Sequence, residues 1–265
     1  MIIIGEKINA TIPKVRVIIR ERDKEALLEL TKRQATAGAD YIDINVGTGV
    51  GSQEDEIRSM QWAVQTIQRE VDTALCIDSA DPAVLEAALD ARNGRPTLIN
   101  STKAEKSSLE KVVPLTKSYN APLVALSMDE TGVPSSVEDR IRACKNIARV
   151  CEKYGVLLES VFFDPLVLPI STDVNQGLVT LYTLMKVKET FPMAKTIVGL
   201  SNISYGLPAR ARLNAAFLQM AIFTGLDATI MDPLDKELMD AVKTAYVLLG
   251  KDRHCRGYIR AFRGG

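Results

Sequence analysis

Ala74-Leu75-Cys76-Ile77-Asp78-Ser79-Ala80-Asp81-Pro82 compresses a strand, a polar strand end and a helix start into one short stretch. Ala74 to Ile77 is a continuous apolar run bounded by turn residues, the pattern of a strand buried on both faces. Asp78 and Ser79 end it. Asp81 can then accept from the unpaired N–H groups of a first helical turn, and Pro82 suits a first helical position, where its missing N–H is not needed.

The same unit recurs along the chain. Short β-branched runs stand at Ile2 to Ile4, Tyr41 to Ile44, Ala74 to Ile77, Thr97 to Ile99, Leu123 to Leu126, Val161 to Phe163, Thr196 to Val198 and Ala228 to Met231. Between them lie segments with helical spacing, such as Ala26, Leu27, Leu30 and Gln34, or Leu238, Val242, Ala245 and Leu249. Ser135 with Glu138 three residues on reads as a capping box. Parallel strands need crossover helices to cover them, so eight strands each followed by a helix predict one α/β domain over 1–265, a single (β/α)8 TIM barrel. A doubly wound open sheet is the alternative. Gly47-Thr48-Gly49-Val50-Gly51 lacks the dinucleotide spacing and follows the second strand instead of the first, so it reads as a barrel loop.

Composition removes several function classes. Thirty-three basic residues balance thirty-three acidic ones, which leaves no general positive field for nucleic acid. No apolar run can span a bilayer, and Glu6 and Lys7 break the order of a signal peptide, so a cytoplasmic protein with no membrane association is expected. Cys76, Cys144, Cys151 and Cys255 are scattered and predicted to be free, buried thiols. With one histidine, His254, and no Cys/His cluster, a zinc site lacks its ligands, and no bound metal is expected. No lysine ends an apolar run; Lys7 and Lys103 come a few residues late for a Schiff-base nucleophile.

A barrel of this kind carries its active site at the C-terminal ends of its strands. Those ends hold Glu6 and Asn9, Asp43 and Asn45, Asp78-Ser79, Asn100-Ser101-Thr102, Asp164-Pro165, Gly199-Leu200-Ser201-Asn202 and Asp232-Pro233. Taken singly, such residues often cap a helix or bond a turn, the reading favoured for Asp81 and Asp232. Taken together, Asp78, Asn100 and Asp164 emerge from three strands toward one cavity. Carboxylates and amides without histidines suit an uncharged heterocycle whose adjacent N–H and amino donors one carboxylate can accept as a pair.

In order and spacing, Ile4-Gly5-Glu6-Lys7-Ile8-Asn9, Asp43-Ile44-Asn45-Val46-Gly47, Leu75-Cys76-Ile77-Asp78-Ser79, Ile99-Asn100-Ser101-Thr102, Phe163-Asp164-Pro165-Leu166 and Val198-Gly199-Leu200-Ser201-Asn202-Ile203-Ser204 resemble the pterin-binding methyltransferases over essentially the whole chain. The nearest patterns are the methyltetrahydrofolate:corrinoid iron-sulfur protein methyltransferases and the folate domain of cobalamin-dependent methionine synthase. The resemblance implies methyl transfer between the cobalt of a corrinoid protein and N5 of tetrahydrofolate. It implies a pterin held by Asp78, Asn100 and Asp164, with Gly199 and Ser201 along the wall and Asn202 as the catalytic residue at N5. Arg210 matches an arginine before the following helix, with Arg212 close by. Glu6, Asn9, Asp43 and Asn45 are further mouth candidates. Tyr205-Gly206-Leu207-Pro208 is nearer to the methionine synthase pattern than to the acetogenic one.

The relatives also imply a homodimer. A base-off corrinoid module uses Asp-x-His-x-x-Gly, whereas the lone histidine here lies in Asp252-Arg253-His254-Cys255-Arg256, so cobalamin is expected on a separate protein. Two rival readings stand beside the transferase. A dihydropteroate synthase would want a basic diphosphate site and an Asn-Val-Thr-Pro-Asp-type first loop, where this chain has Asn9-Ala10-Thr11-Ile12-Pro13. A non-catalytic folate module that only docks a corrinoid protein would not need Asn202. The tail from Lys251 to Gly265, five basic residues against one acidic, reads as a solvated tail or a docking patch.

Overall fold

Ile4, Cys76, Leu98, Val124, Phe162, Ile197 and Ala228 come from seven different strands and fill the interior of a closed parallel barrel. The computed structural model describes residues 1–263. The strands close in sequence order: β1 (Ile2–Asn9), β2 (Tyr41–Asn45), β3 (Ala74–Asp78), β4 (Thr97–Lys103), β5 (Leu123–Leu126), β6 (Val161–Asp164), β7 (Lys195–Gly199) and β8 (Ala228–Met231), which pairs back onto β1. Around them stand α1 (Pro13–Glu21), α2 (Lys24–Thr36), α3 (Gln53–Gln68), α4 (Pro82–Ala91), α5 (Lys106–Ser118), α6 (Val137–Lys153), α7 (Gln176–Thr190), α8 (Arg210–Phe223) and α9 (Lys236–Leu248). Each strand is buried on both faces. Ile42, Ile77, Ile99, Ala125 and Phe163 pack outward against helices while their neighbours in sequence fill the barrel, which is why the runs are continuous instead of alternating.

The expected barrel is present, and five details differ. First, β1 continues through Glu6 and Lys7 to Asn9, although charged residues end its apolar run at Ile4. Its register against β2 shifts between Gly5 and Ile8, and Gln34 of α2 fills the notch, its Oε1 accepting from Lys7 N at 2.9 Å. A Cβ on Gly5 would stand 2.5 Å from that oxygen, so the close approach requires glycine. Likewise β4 continues to Lys103, so both lysines lie within strands, and both are ion-paired, Lys7 with Asp232 and Lys103 with Glu105.

Second, two helices join β1 to β2. Arg22, in the left-handed region at φ 54°, ends α1, and Asp23 caps α2 by accepting from Ala26 N. Third, the cap of α6 is Ser136, one residue after the expected Ser135; its Oγ accepts from Asp139 N at 3.1 Å. Fourth, the basic tail folds into a tenth helix, α10 (Arg256–Phe262). Asp252 accepts from Gly257 N and Tyr258 N at its start, Tyr258 packs its ring at a tilt against that of Phe262, and Phe262 lies beneath Lys236 and Lys243 of α9. Fifth, Cys255 is exposed at the kink before α10, while Cys76, Cys144 and Cys151 are buried.

Candidate active site

Side chains alternate along a strand, so positions two beyond the interior residues share their face and lie one layer nearer the C-terminal mouth. Glu6 follows Ile4, Asp78 follows Cys76, Asn100 follows Leu98, Asp164 follows Phe162 and Gly199 follows Ile197 in this way; Asp43 and Asn45 follow Tyr41. Strand register pairs Asp78 with Asn100, and through Val124 of β5 it pairs Asn100 with Phe162, so Asp164 stands two residues farther along its strand. The top layer is therefore polar around most of the ring. Asp78 and Asp164 open on the same end of the barrel.

One sector is a network across β2, β3 and β4. Asn45 Nδ2 donates to Asp78 Oδ2 at 2.7 Å, and Asn100 Nδ2 points at Asp43 Oδ1 at 3.5 Å. Burial, with the charge of Asp78 beside it, raises Asp43 well above the usual carboxylate range. Asp78 is also raised by burial, opposed by the Asn45 amide. Of the two, Asp43 is the more deeply buried and is pushed up further, since neighbouring buried carboxylates resist ionising together. Cys76, on the same face beneath them, stays a thiol, pushed up by burial and by Asp43. Asn45 Oδ1 accepts from Gly47 N at 3.0 Å, so that amide also holds the following loop.

The β6 end is built differently. Asp164 Oδ1 accepts from Leu166 N at 2.7 Å, and burial pushes the carboxyl up to about 7 against that hydrogen bond and the nearby charge of Arg140. Arg140 of α6 is fully buried, with Nη1 donating to Pro165 O at 2.7 Å and Leu166 O at 2.9 Å. The sequence reading missed it. A signal existed: Arg140 lies in phase with Cys144, Ile147 and Cys151 on the buried stripe of α6, a cation at an apolar position.

Beside β6, β7 ends at Gly199 and passes into a 3₁₀ turn, Leu200–Ser204, that presents Asn202 exposed at the mouth. Ser201 Oγ donates to Glu6 Oε1 at 2.8 Å, and Arg210 Nη2 donates to Ser201 O at 2.6 Å while its Nε donates to Ser204 Oγ at 3.0 Å. Arg210 thus grips the turn. Arg212 instead lines a cleft between α8 and α9 with Tyr258 and Phe262. Lys7 pairs with Asp232 at 2.5 Å, closing the β1–β8 sector. Asn9 is committed to a turn, its Oδ1 accepting from Thr11 N and Thr11 Oγ1. Asp81 caps α4 by accepting from Ala83 N, whereas α9 is capped by Asp235, and Asp232 accepts from Leu234 N.

Among the described residues, Asp164 Oδ2, Asp78 Oδ1 and Asn100 Oδ1 take no hydrogen bond, and the Asn202 amide makes none. Those acceptors stand toward the C-terminal ends of β3, β4 and β6. A Cβ on Gly199 would meet no protein atom within 4 Å, and with φ of −80° its backbone does not demand glycine, so the open volume beside it is the mouth itself. The set fits a flat heterocycle with several N–H donors. Among the described residues no group of three or more His, Cys, Asp or Glu is placed to hold a metal ion, and no helix is long and apolar enough to cross a membrane.

The family described as pterin binding enzyme matches residues 5–232. The chain is 37% identical over 267 residues to the methylcorrinoid:tetrahydrofolate methyltransferase of Eubacterium limosum, covering 100% of this chain and 97% of that protein. It is 28% identical to the methionine synthase of Mycobacterium leprae (strain TN), across 97% of this chain but 22% of the longer relative. Among solved structures, dihydropteroate synthase from Stenotrophomonas maltophilia superposes with a TM-score of 0.73 over 94% of this chain and 92% of that one, at 18% identity, which speaks to the fold alone. With six mouth motifs, a closed eight-stranded barrel and a family match running from β1 to the end of β8, the chain belongs to the pterin-binding enzymes.

Proposed function

We propose that this chain, read as one domain over 1–265, transfers a methyl group between the cobalt of a corrinoid protein and N5 of tetrahydrofolate. The observation that carries the reading is the convergence of Asp78, Asn100 and Asp164 on one mouth, in a chain matched along its whole length by a methylcorrinoid:tetrahydrofolate methyltransferase. In this reading Asp78, Asn100 and Asp164 accept and donate around the pterin edge, Gly199 and Ser201 line the wall, and Asn202 meets N5. A corrinoid supplies the cobalt that carries the methyl group. The chain's own residues hold the pterin in line and manage charge at N5. A neutral amide such as Asn202 cannot exchange a proton near neutral pH, but it can hydrogen-bond N5 more strongly as its charge changes, which lowers the barrier without tightening the ground state.

The cobalamin belongs to a separate protein. The lone histidine is exposed at a kink before α10, and the aspartate two residues before it caps that helix. A homodimer accompanies the reading: Leu178, Tyr182 and Met185 form an exposed apolar stripe on α7, with Met220 and Phe223 exposed on α8. Sedimentation at micromolar concentration tests it, and a monomer would remove it.

The transferase reading is tested by mixing methylcob(III)alamin, tetrahydrofolate and the protein anaerobically and following the corrinoid spectrum. Demethylation that depends on tetrahydrofolate is expected. Binding without demethylation would leave a folate module, and condensation of a pterin diphosphate with p-aminobenzoate would favour the synthase reading.

A further inference from the structure

A guanidinium with no exposed surface normally sits against a carboxylate, and Arg140 does not. Nε donates to Pro134 O at 3.0 Å, Nη1 to the carbonyls of Pro165 and Leu166, and Nη2 to Gln176 Oε1 at 2.9 Å. All four acceptors are neutral. A buried cation held only by dipoles is costly, and an uncharged side chain could brace the same turn at a smaller desolvation penalty. The acid whose charge acts on Arg140 is Asp164, one residue before the carbonyl that Nη1 holds.

We infer that Arg140 is a positioning residue that keeps Asp164 in its anionic form, ready to accept a pair of N–H donors, by gripping the Pro165–Leu166 turn and supplying the countercharge beneath it. The inference rests on reading the mouth as a tetrahydrofolate site. Leu166 lies in the left-handed region at φ 67°, and its N–H binds Asp164 Oδ1 while its carbonyl is held by Arg140 Nη1 and by Thr180 Oγ1 at 3.0 Å. Arg140 therefore fixes the peptide that fixes the carboxylate. A protonated Asp164 would present an O–H where the heterocycle needs a second acceptor.

Burial works against the anion, and the groups packed around Asp164 leave Arg140 as the opposing charge. From α6 comes Cys144, whose thiol burial keeps neutral; from α7 comes Gln176, neutral, donating its Nε2 to the exposed Asp173; and Ser127, the residue after β5, offers its backbone N–H to Asp164 O. With Asp164 poised at about 7, the bound fraction should climb as pH rises through neutrality.

The test is tetrahydrofolate affinity by calorimetry from about pH 6 to about pH 9 in wild type, Arg140→Lys, Arg140→Gln and Gln176→Glu. Arg140→Lys keeps the charge and should keep the midpoint of the wild-type pH profile. Arg140→Gln removes the charge, and Gln176→Glu opposes it from 2.9 Å away while the arginine stays in place, at the loss of the bond from Gln176 Nε2 to the exposed Asp173. Both should move the midpoint upward by about one pH unit, about fivefold weaker binding at pH 7 that recovers by about pH 9. Gln176→Glu carries the test if Arg140→Gln does not fold. A uniform loss across pH, or an unmoved midpoint, overturns the role of Arg140 and leaves the folate site standing. Absence of tetrahydrofolate binding by the wild type overturns the folate reading itself. The infrared carboxyl band of Asp164, identified by its disappearance in Asp164→Asn, reports independently of ligand: an upward-shifted titration in Gln176→Glu supports the inference, and an unshifted one refutes it.

Discussion

The hydroxyl of Ser201 lies 2.8 and 3.1 Å from the two carboxylate oxygens of Glu6, joining a turn late in the chain to its first strand. Arg210 holds the other side of that turn through Ser201 O and Ser204 Oγ, so the segment that presents Asn202 is clamped from both flanks.

Loosening this clamp should cost rate. A hydrogen bond to a charged group contributes about 1.5 to 3 kcal/mol. If a part of that energy orients Asn202, Glu6→Ala should slow single-turnover methyl transfer by about tenfold, while Glu6→Gln, which still accepts from Ser201, should lose much less. Equal losses in the two variants would mean that the charge of Glu6 matters and the tether does not.

Asn202→Ala tests chemistry beyond binding. Its amide is exposed and unbonded in the free protein, so folding does not depend on it. Removal of a preorganised donor in oxyanion sites costs about 2.7 to 4 kcal/mol, and N5 develops less charge than an oxyanion, so a rate loss of about a hundredfold or somewhat less is expected. Tetrahydrofolate affinity should change little, because the interaction strengthens only as charge changes. Parallel losses in rate and affinity would reduce Asn202 to a binding residue.

Gly199→Val separates ligand space from protein space. No protein atom lies within 4 Å of the added Cβ, and the backbone there accepts any residue. Thermal stability should therefore stay close to wild type while tetrahydrofolate binding weakens more than about tenfold, the equivalent of 1.4 kcal/mol. Unchanged affinity would show that the pterin lies elsewhere.

The free protein should lose stability as pH rises. Asp164 is raised from the usual carboxylate range to about 7, so the folded state binds the extra proton between those limits. Its contribution is fully present below about pH 4 and is lost by the time pH passes about 7, with an upper bound of about 4 kcal/mol from a three-unit shift. Glu6, Asp43 and Asp78 are raised by burial and push the same way. Asp164→Asn, which keeps an acceptor for Leu166 N, should melt higher than wild type at pH 8 and close to it at pH 4.5. The opposite order in thermal denaturation would show that the buried carboxylate is not under strain.

The barrel was legible because its signal is local. Ala74 to Ile77 declares a strand buried on both faces within four residues, and the polar residue two beyond Cys76 falls on the mouth by alternation alone. Asp78, Asn100 and Asp164 were legible for the same reason. Asn9 was not separable from them, because whether an amide faces a ligand or its own turn depends on Thr11 two residues away. Arg140 and Gln34 were hidden by distance. Their partners lie 25 and 27 residues away in sequence, and a helix pattern records that a position is inward without recording what it meets. The strand ends were blurred at Glu6, Lys7 and Lys103 because their charged groups find partners at nearby strand ends, in the Ser201 hydroxyl and Asp232, or locally in Glu105.

The Gln34 amide wedged into β1 has a bearing on how such a mouth can diverge. By breaking the two-residue phase of the strand, it lets adjacent side chains, Glu6 and Lys7, find partners just beyond β7 and just beyond β8 respectively, so one short stretch anchors two neighbouring staves. Control over that sector therefore resides in the outer wall, on α2. A substitution at Gln34 could retune the Asn202 side of the mouth while Asp78, Asn100 and Asp164 keep their places, giving a lineage a remote adjustment for the transferring edge that is mechanically separate from the recognising edge.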